Sequence, residues 1–544
     1  MSDERTPARE AAAALTPRVL LAAAAVLLLA CAPEIAGFLA HGRDFLGVPD
    51  KLDLLDNLVY IERAGQAPAG LTSFPNLHTS EAGAINPQVV PLPWTIGWLL
   101  RACGIRATLY PFVSKLVIGA VTLVFLALLA ARLFSPADRP VGLAHLWLAG
   151  GLFWTLDFNW MARGGTTIEY QNLLAVLQPD SSNFFALYFH AHVALALVLL
   201  VGCLWTIFLA RRPRPFAAAA LGAGIAVLHT YDLVPLAAVC ALHLAYLRAR
   251  NPGRFRACLP AVVAALAAAV PPALLQFRNS YLGVHGFQMD DYWLGASNYL
   301  FGYGQPLLFG VYYLISEAGW RAESHEDATD TPLWVAWLVA APWMLVNPYL
   351  FFRRKLALGL SVPVAVLGAR GVVLFCRSVL PDKPRPQRAL AAVLTLAACL
   401  SSFDVPLRDA AGAVRGEFPM VLSSEIRAVL ERLARDATSG GVVLAQPDYV
   451  SQLIPALAGR RVFRGWSIYL RDPVRRAAEL KEFLAPGTSA SERAAFLERH
   501  GITDVVLTEP QCKEIGADRL SFLQRVAQHA DLVVFRVRLA TPVR

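Results

Sequence analysis

The chain has 544 residues, of which 56% are hydrophobic and only 16% charged, against about 25% charged for an ordinary soluble domain. So much apolar surface excludes a simple soluble fold. The formal net charge of +9 does not point to nucleic acid, because the basic residues sit in short links between apolar blocks rather than on one amphipathic face.

Taken in chain order, the apolar blocks lie at about 18–40, 113–134, 141–159, 184–210, 216–230, 233–247, 256–276, 299–318, 332–352, 356–377 and 389–404, each close to the ~20 residues that cross a ~30 Å hydrocarbon core. They predict an α-helical polytopic membrane bundle of about ten or eleven transmembrane helices, since helices satisfy their own backbone hydrogen bonds in lipid. The bundle occupies residues 18–404 and follows a cytoplasmic N-terminus, 1–17. The first block lacks a small-x-small cleavage site before Pro33 and Glu34, so it reads as a retained anchor. Of the 8 cysteines, Cys31, Cys203, Cys240, Cys258, Cys376 and Cys399 lie within apolar blocks. With no C-x-x-C pair or metal spacing, neither a disulfide framework nor a zinc site is expected.

The basic terminus (Arg5, Arg9, Arg18), the 132–139 link, "RRPRP" at 211–215 and "RARNPGRFR" at 248–256 fall on one side by alternate counting, which marks that side as cytoplasm. The stretch 299–318 carries Pro306 and could cross the membrane or fold back. If it crosses, "RSVLPDKPRPQR" at 377–388 is cytoplasmic and the chain's end is outside, but "RRK" at 353–355 is then outside, against the rule. Crossing is the reading favoured here. Residues 405–422 form a linker, and 423–544 a small soluble α/β domain on the extracytoplasmic side. In it, amphipathic helices "SEIRAVLERLARDA" and "SASERAAFLERHG" alternate with β-prone runs "VVLA", "DVVLT" and "DLVVFRVR". Ser489 and Glu492 form a capping-box pattern, and Asp472 precedes an N1 proline.

Polar residues that do not set topology collect in the non-cytoplasmic segments. The first, 41–112, holds "DKLDLLDNLVYIERAGQ", in which Asp53 and Asp56 are i,i+3 and Asp56 and Tyr60 i,i+4, sharing one helix face. A carboxylate held there can act as a general base or bind a divalent metal; the bland reading is a solvated interfacial helix capped by acids. Residues 85–104, with Trp94 and Trp98 among prolines, read as a helix lying at headgroup depth or as a plain connector. Arg163, Glu169, Asp180, His190 and His192 form a further group, with Arg278, Asp290 and Asp291 in a later loop. His190 and His192 are i,i+2, so one helix does not aim both at one ligand. Arginines on this face could bind phosphate through the planar guanidinium fork, or simply make salt bridges. His229 and Asp232 in "LHTYDLVP" interrupt two apolar blocks, where ionisable groups are costly unless paired or near water. They read as cavity-lining residues or as a polar hairpin turn, and Glu34 near the end of the first block raises the same pair of readings. No Walker motif, G-x-G-x-x-G after a strand, H-E-x-x-H or G-x-S-x-G is present, which removes support for nucleotide-driven transport and common hydrolases.

The acid-rich "DNLVYIERA", the proline-rich "NPQVVPLPW", the "HTYD" turn and the tail "GVVLAQPDYVSQLIPALAGRRVFRGW" with "LERHGITDVVLT" together resemble the C-type (GT-C) glycosyltransferases, over the whole chain and through short, degenerate motifs. The resemblance implies a membrane enzyme of the bacterial inner membrane that takes a sugar from a polyprenyl-phosphate carrier to a lipid, glycan or protein acceptor at the extracytoplasmic face, with inversion. It places the catalytic base on Asp56, with Asp53 second. The leaving phosphate needs cationic groups, for which Arg63, Arg163 and Arg278 are the candidates in falling order, and Tyr60, His190, His192, His229, Asp232, Asp290 and Asp291 are the candidates to line a substrate cavity. A divalent ion such as Mg or Mn stays open, because the family's adjacent acidic pair is not obvious here. A secondary transporter, a lipid flippase or a non-catalytic scaffold of the same fold are the alternatives; no inverted repeat of the kind transporters often show is visible.

Overall fold

The structure is a computed structural model that describes residues 14–48, 54–70, 75–81, 91–149, 182–283, 295–316, 330–346, 353–417, 420–436, 440–466, 470 and 472–539. The chain divides into two compact units. One comprises Met1–Ala36, Ser114–Leu274 and Met289–Gly412, the other Gly37–Val113, Leu275–Gln288 and Ala413–Arg544.

The first unit is a helical bundle. Among the described residues, six helices are long and apolar enough to cross a membrane: Ala107–Leu133, Ala191–Leu209, Thr230–Arg250, Pro252–Phe277, Ser361–Val379 and Pro384–Val414. Pro17–Ala30 and Ala32–Asp44, bent by 55°, make a seventh candidate, and Pro215–Leu228 and Gly304–Ile315 are shorter apolar helices. Helices Arg139–Leu148 and Thr331–Val346 occupy two further predicted blocks; residues 150–159 of the former block lie outside the described residues.

The break in the first block follows from Pro33, which has no N–H to give to the preceding turn. Lys115 Nζ donates to the Ala30 carbonyl at 2.9 Å, so a lysine from another helix satisfies the backbone at the break. Gly295–Ile315 is likewise interrupted, at Gly304, whose φ of 35° and ψ of −102° are not helical. Beyond the kink the chain runs alongside Ser361–Val379 in the same direction: Gly368 lies against the Pro306 backbone, Gly371 against that of Phe309, and Tyr312 Oη stands 3.2 Å from Ser378 Oγ. From Pro306 to Tyr312 the ambiguous stretch therefore runs alongside Ser361–Val379.

The links rich in arginine gather at one end of this bundle. Arg377 pairs with Asp138 at 2.7 Å, and Arg370 with Asp330 at 2.9 Å and with the Leu133 carbonyl. Arg254 donates to the carbonyls of Phe208, Ala210 and Arg211, closing the end of Ala191–Leu209. The opposite end carries a different set of polar groups, with Ser361 donating to Asn183 and Asn183 to the Leu146 carbonyl.

The second unit is built on a five-stranded sheet of order β2-β1-β3-β5-β4, with β1 Val442–Ala445, β2 Arg461–Val462, β3 Ile502–Thr508, β4 Leu523–His529 and β5 Leu532–Val537. Strands β2, β1 and β3 are parallel, while β5 pairs antiparallel with both β3 and β4. Side chains alternate across the pleat. Val506 therefore faces one core with Leu46, Leu58, Ile61, Val429, Val450 and Ile454, whereas Val505 and Leu507 face another with Phe463, Leu480, Phe496 and Phe535. The first core draws on residues of both chain segments. The two segments are also joined along the backbone, because Leu46 N–H donates to Met420 O at 2.9 Å and Leu422 N–H to Asp44 O at 2.8 Å. The predicted helix caps are present: Ser489 and Glu492 form a capping box, and the Asp472 side chain accepts from the Arg475 N–H.

Candidate functional site

In the second unit the acid-rich segment forms the helix Leu54–Gly65, which begins with Asp56 in its first turn. Its burial is lopsided. Leu58 and Ile61 enter the core beneath helix Asp448–Ala458, each contributing on the order of 1.5–3 kcal/mol of apolar burial. On another side Ala64 meets helix Pro91–Ala102 at Gly97, where an added Cβ would stand 2.3 Å from the Ala64 carbonyl. Only a glycine permits that approach, and it fixes the helix between two neighbours. Asp56 itself is half-buried. Asp56, Tyr60 and Arg63 follow at i, i+4 and i+7, one face of a helix. The buried Arg63 guanidinium lies 5.8 Å from the Tyr60 ring centre, and Tyr60 lies 6.3 Å from Tyr110. Glu62, also buried, stands 2.8 Å from His78 Nε2 and accepts from Gln66 at 2.8 Å. Helix Pro91–Ala102 buries Leu92, Ile96 and Leu100 and leaves Trp98 and Leu99 exposed, an amphipathic division suited to an interface.

In the first unit, the end of the bundle opposite the arginine links holds two buried polar clusters. In one, Lys115 Nζ lies 2.5 Å from Glu34 Oε1 and 4.7 Å above the Tyr188 ring, and Tyr188 Oη donates to Asp409 Oδ2 at 2.5 Å. In the other, His229 Nδ1 and Asp232 Oδ1 are 2.8 Å apart, His192 lies 6.4 Å from His229 and 5.2 Å from His190, and Lys355 Nζ sits 5.7 Å from the Tyr231 ring centre. The i,i+2 argument against His190 and His192 acting together assumed one continuous helix. His190 instead has an extended backbone, φ −141° and ψ 109°, between helices Asn183–Phe189 and Ala191–Leu204, and the break lets both rings approach.

Asp53, Arg163, Asp290 and Asp291 lie outside the described residues, and Arg278 belongs to helix Pro252–Gly283. Sequence reasoning missed Lys115, Tyr188, Asp409, His78 and Lys355. Lys115 had a usable signal, being a lone charge inside an apolar block. Among the described residues no three His, Cys, Asp or Glu side chains gather as metal ligands.

A polytopic helical unit, and a unit that combines an acid-bearing helix with an α/β sheet, make up a fold that solved structures share. The solved structures it resembles include the arabinofuranosyltransferase AftD from mycobacteria, matched over 97% of this chain and 40% of that one at 15% identity and a TM-score of 0.58. A mutant form of AftD matches over 97% and 42% at 17% identity and 0.57, and the oligosaccharyltransferase of Archaeoglobus fulgidus over 89% and 69% at 10% identity and 0.43. The chain thus spans about two fifths of the AftD length. What is shared with AftD at such identities is the fold. No protein-family model matches the sequence, and no curated protein matches it.

Proposed function

We propose that the protein is a membrane glycosyltransferase that transfers a sugar, with inversion, from a polyprenyl-phosphate carrier to a hydroxyl of a lipid, glycan or protein acceptor. The observation that carries this reading is the likeness to an arabinofuranosyltransferase over 97% of the chain. Asp56 is the general base and Asp53 its nearest alternative. The Asp56 carboxylate takes the acceptor's proton as the acceptor oxygen attacks the anomeric carbon. The bond from that carbon to the phosphate oxygen breaks, and its electron pair leaves with the lipid phosphate. A positioned base contributes typically ~10²–10⁴-fold. The growing phosphate charge calls for cationic or hydrogen-bonding groups aimed at it. Arg63, Arg163 and Arg278 are assigned that task, and Tyr60, His190, His192, His229, Asp232, Asp290 and Asp291 line the substrate space.

The site faces the extracytoplasmic side of the bacterial inner membrane. Support comes from the arginine-rich links gathered at one end of the bundle, which the positive-inside rule assigns to the cytoplasm. Helix Pro384–Val414 begins at that end and leads the C-terminal residues to the other side, against the contrary signal of Arg353, Arg354 and Lys355.

The test is turnover by the purified chain in lipid nanodiscs, supplied with a panel of polyprenyl-phosphate-linked pentoses and hexoses. Release of free polyprenyl phosphate that depends on an added acceptor supports the reading. Movement of intact donor between leaflets of vesicles, with no cleavage of any donor, would favour a flippase instead.

A further inference from the structure

His229 has a partner for one ring nitrogen and none for the other. Its Nδ1 lies 2.8 Å from Asp232 Oδ1, and both residues are buried, at 6% and 0% exposure. Its Nε2 is buried as well and has no hydrogen-bond partner among the described residues. An orphaned buried polar atom is costly and calls for an explanation. Here the surroundings point to a ligand, since the nitrogen belongs to a polar cluster at the end of the bundle away from the arginine links.

The state of the ring follows from its partner. A carboxylate only accepts, so Nδ1 carries the proton and, in the neutral ring, Nε2 presents a lone pair. The phosphodiester of a lipid-linked sugar is also an acceptor with no proton at neutral pH. Neutral His229 and that phosphate therefore repel, lone pair against lone pair. One added proton reverses this, giving an Nε2–H that can donate to a phosphate oxygen while Asp232 balances the imidazolium. Among the described residues, the ionisable groups around the ring are Asp232 and Tyr231 on its own turn, His190 and His192 from the neighbouring segment, and Lys355 from the turn Arg353–Ala357. Helix Thr331–Val346, packed on helix Leu233–Arg250, has no ionisable side chain. Of these, Asp232 carries negative charge and Lys355 positive charge.

We propose that His229 takes up one proton from solvent as a lipid-linked phosphodiester binds, and then holds the phosphate through Nε2–H while the leaving group gains charge. The inference rests on the reading of the chain as acting on a polyprenyl-phosphate donor. During transfer the acceptor's proton goes to Asp56 and the phosphate leaves with the bond's electron pair. The His229 proton is not consumed and returns to solvent when the lipid phosphate departs.

The measurement is calorimetric binding of the methyl ester of farnesyl phosphate, a diester that does not itself titrate near neutrality, to the full chain in nanodiscs. Repeating it in buffers of different ionisation heat counts the protons exchanged. Wild type is expected to take up close to one proton at pH 8, with affinity falling up to tenfold per pH unit as pH rises. His229→Gln keeps a neutral donor at this position, so it should bind the diester with no uptake and a flat pH profile. Asp232→Asn provides a second variant and should weaken binding and lower the uptake. Binding by wild type without proton uptake, or uptake unchanged in His229→Gln, overturns the proposal and leaves the transferase reading standing. Absence of any diester binding by wild type, together with no donor turnover, overturns both.

Discussion

His78 joins two parts of the chain far apart in sequence: its Nε2 stands 2.8 Å from Glu62 Oε2 on the helix that bears Asp56, while its Nδ1 accepts the Trp466 N–H at 3.2 Å. The backbone around it reinforces the link, because Gly465 N–H donates to His78 O and Val462 N–H to Leu77 O, both at 2.9 Å. The residues following β2 thereby help to set where the Asp56 helix stands. His78→Ala should reduce transfer by about a hundredfold, the scale expected for ~1 Å of misplacement, with kcat falling more than KM rises. Gly465→Ala offers an independent check, since its Cβ would stand 2.5 Å from His78 Nδ1 and 2.8 Å from His78 Cα. It should displace the ring and lower kcat in the same direction. Wild-type kcat in both variants would show that the link does not position the base.

Stability of the α/β unit should depend on Asp504. This buried carboxylate accepts from Arg460 at 2.9 Å and from Arg536 at 2.8 Å. Asp504→Ala removes the carboxylate from the buried Arg460 guanidinium, which keeps only the carbonyls of Leu433, Asp436 and Gly441 and the Thr503 hydroxyl, and removing one partner of a buried pair typically costs ~3–5 kcal/mol. Thermal unfolding followed by a probe in this unit should shift down by several degrees. An unchanged midpoint would show that water replaces the carboxylate without loss.

The pH dependence of the same unit should contain a contribution from His500. Burial, and then the nearby Arg476, hold its pKa below the usual histidine value. The folded form therefore binds the proton more weakly than the unfolded chain, whose histidine titrates near ~6.5. Its contribution to stability is fully present above that pH and is lost as pH falls toward the lower folded value. Between pH 7 and 5 the wild-type midpoint should fall more steeply than that of His500→Gln. Parallel curves would exclude the group.

Trp98 should sit in lipid. It is 43% exposed beside Leu99 on a helix whose other face packs on Ala64, and indole rings favour headgroup depth. Quenching by lipids brominated high on the acyl chain should be weaker in Trp98→Phe than in wild type. Equal quenching would detach this helix from the interface.

Much of the architecture was legible because membrane spans and amphipathic helices announce themselves by composition and period. The β-prone runs at 442–445, 504–508 and 531–538 read as strands for the same reason, and strands form at Val442–Ala445, Ile502–Thr508 and Leu532–Val537. β2 has only two residues, and β4, at the sheet edge, keeps exposed polar side chains at Gln524 and Arg525, so neither has an apolar pattern to see. The cluster of Glu34, Lys115, Tyr188 and Asp409 was not legible, because its members come from four segments and meet only through packing. Nor could the sequence show that the break at His190 removes the helical geometry assumed for its two histidines.

The side of the membrane is tested by labelling a cysteine placed at the exposed Ser489, in a Cys103→Ser background, with an impermeant thiol reagent on intact spheroplasts. Labelling before lysis is expected. Protection lost only on lysis would put the α/β unit in the cytoplasm.

The central claim is most directly tested by the rate of sugar transfer in Asp56→Asn at saturating donor, beside Asp53→Asn and with donor binding measured in parallel. The asparagine keeps the shape of the side chain but cannot take the acceptor's proton, so transfer should fall by roughly 10²–10⁴-fold while the donor binds as in wild type. Asp53→Asn should be milder. Near wild-type transfer by Asp56→Asn with Asp53→Asn inactive would move the base to Asp53, and near wild-type transfer by both would contradict the carboxylate mechanism altogether.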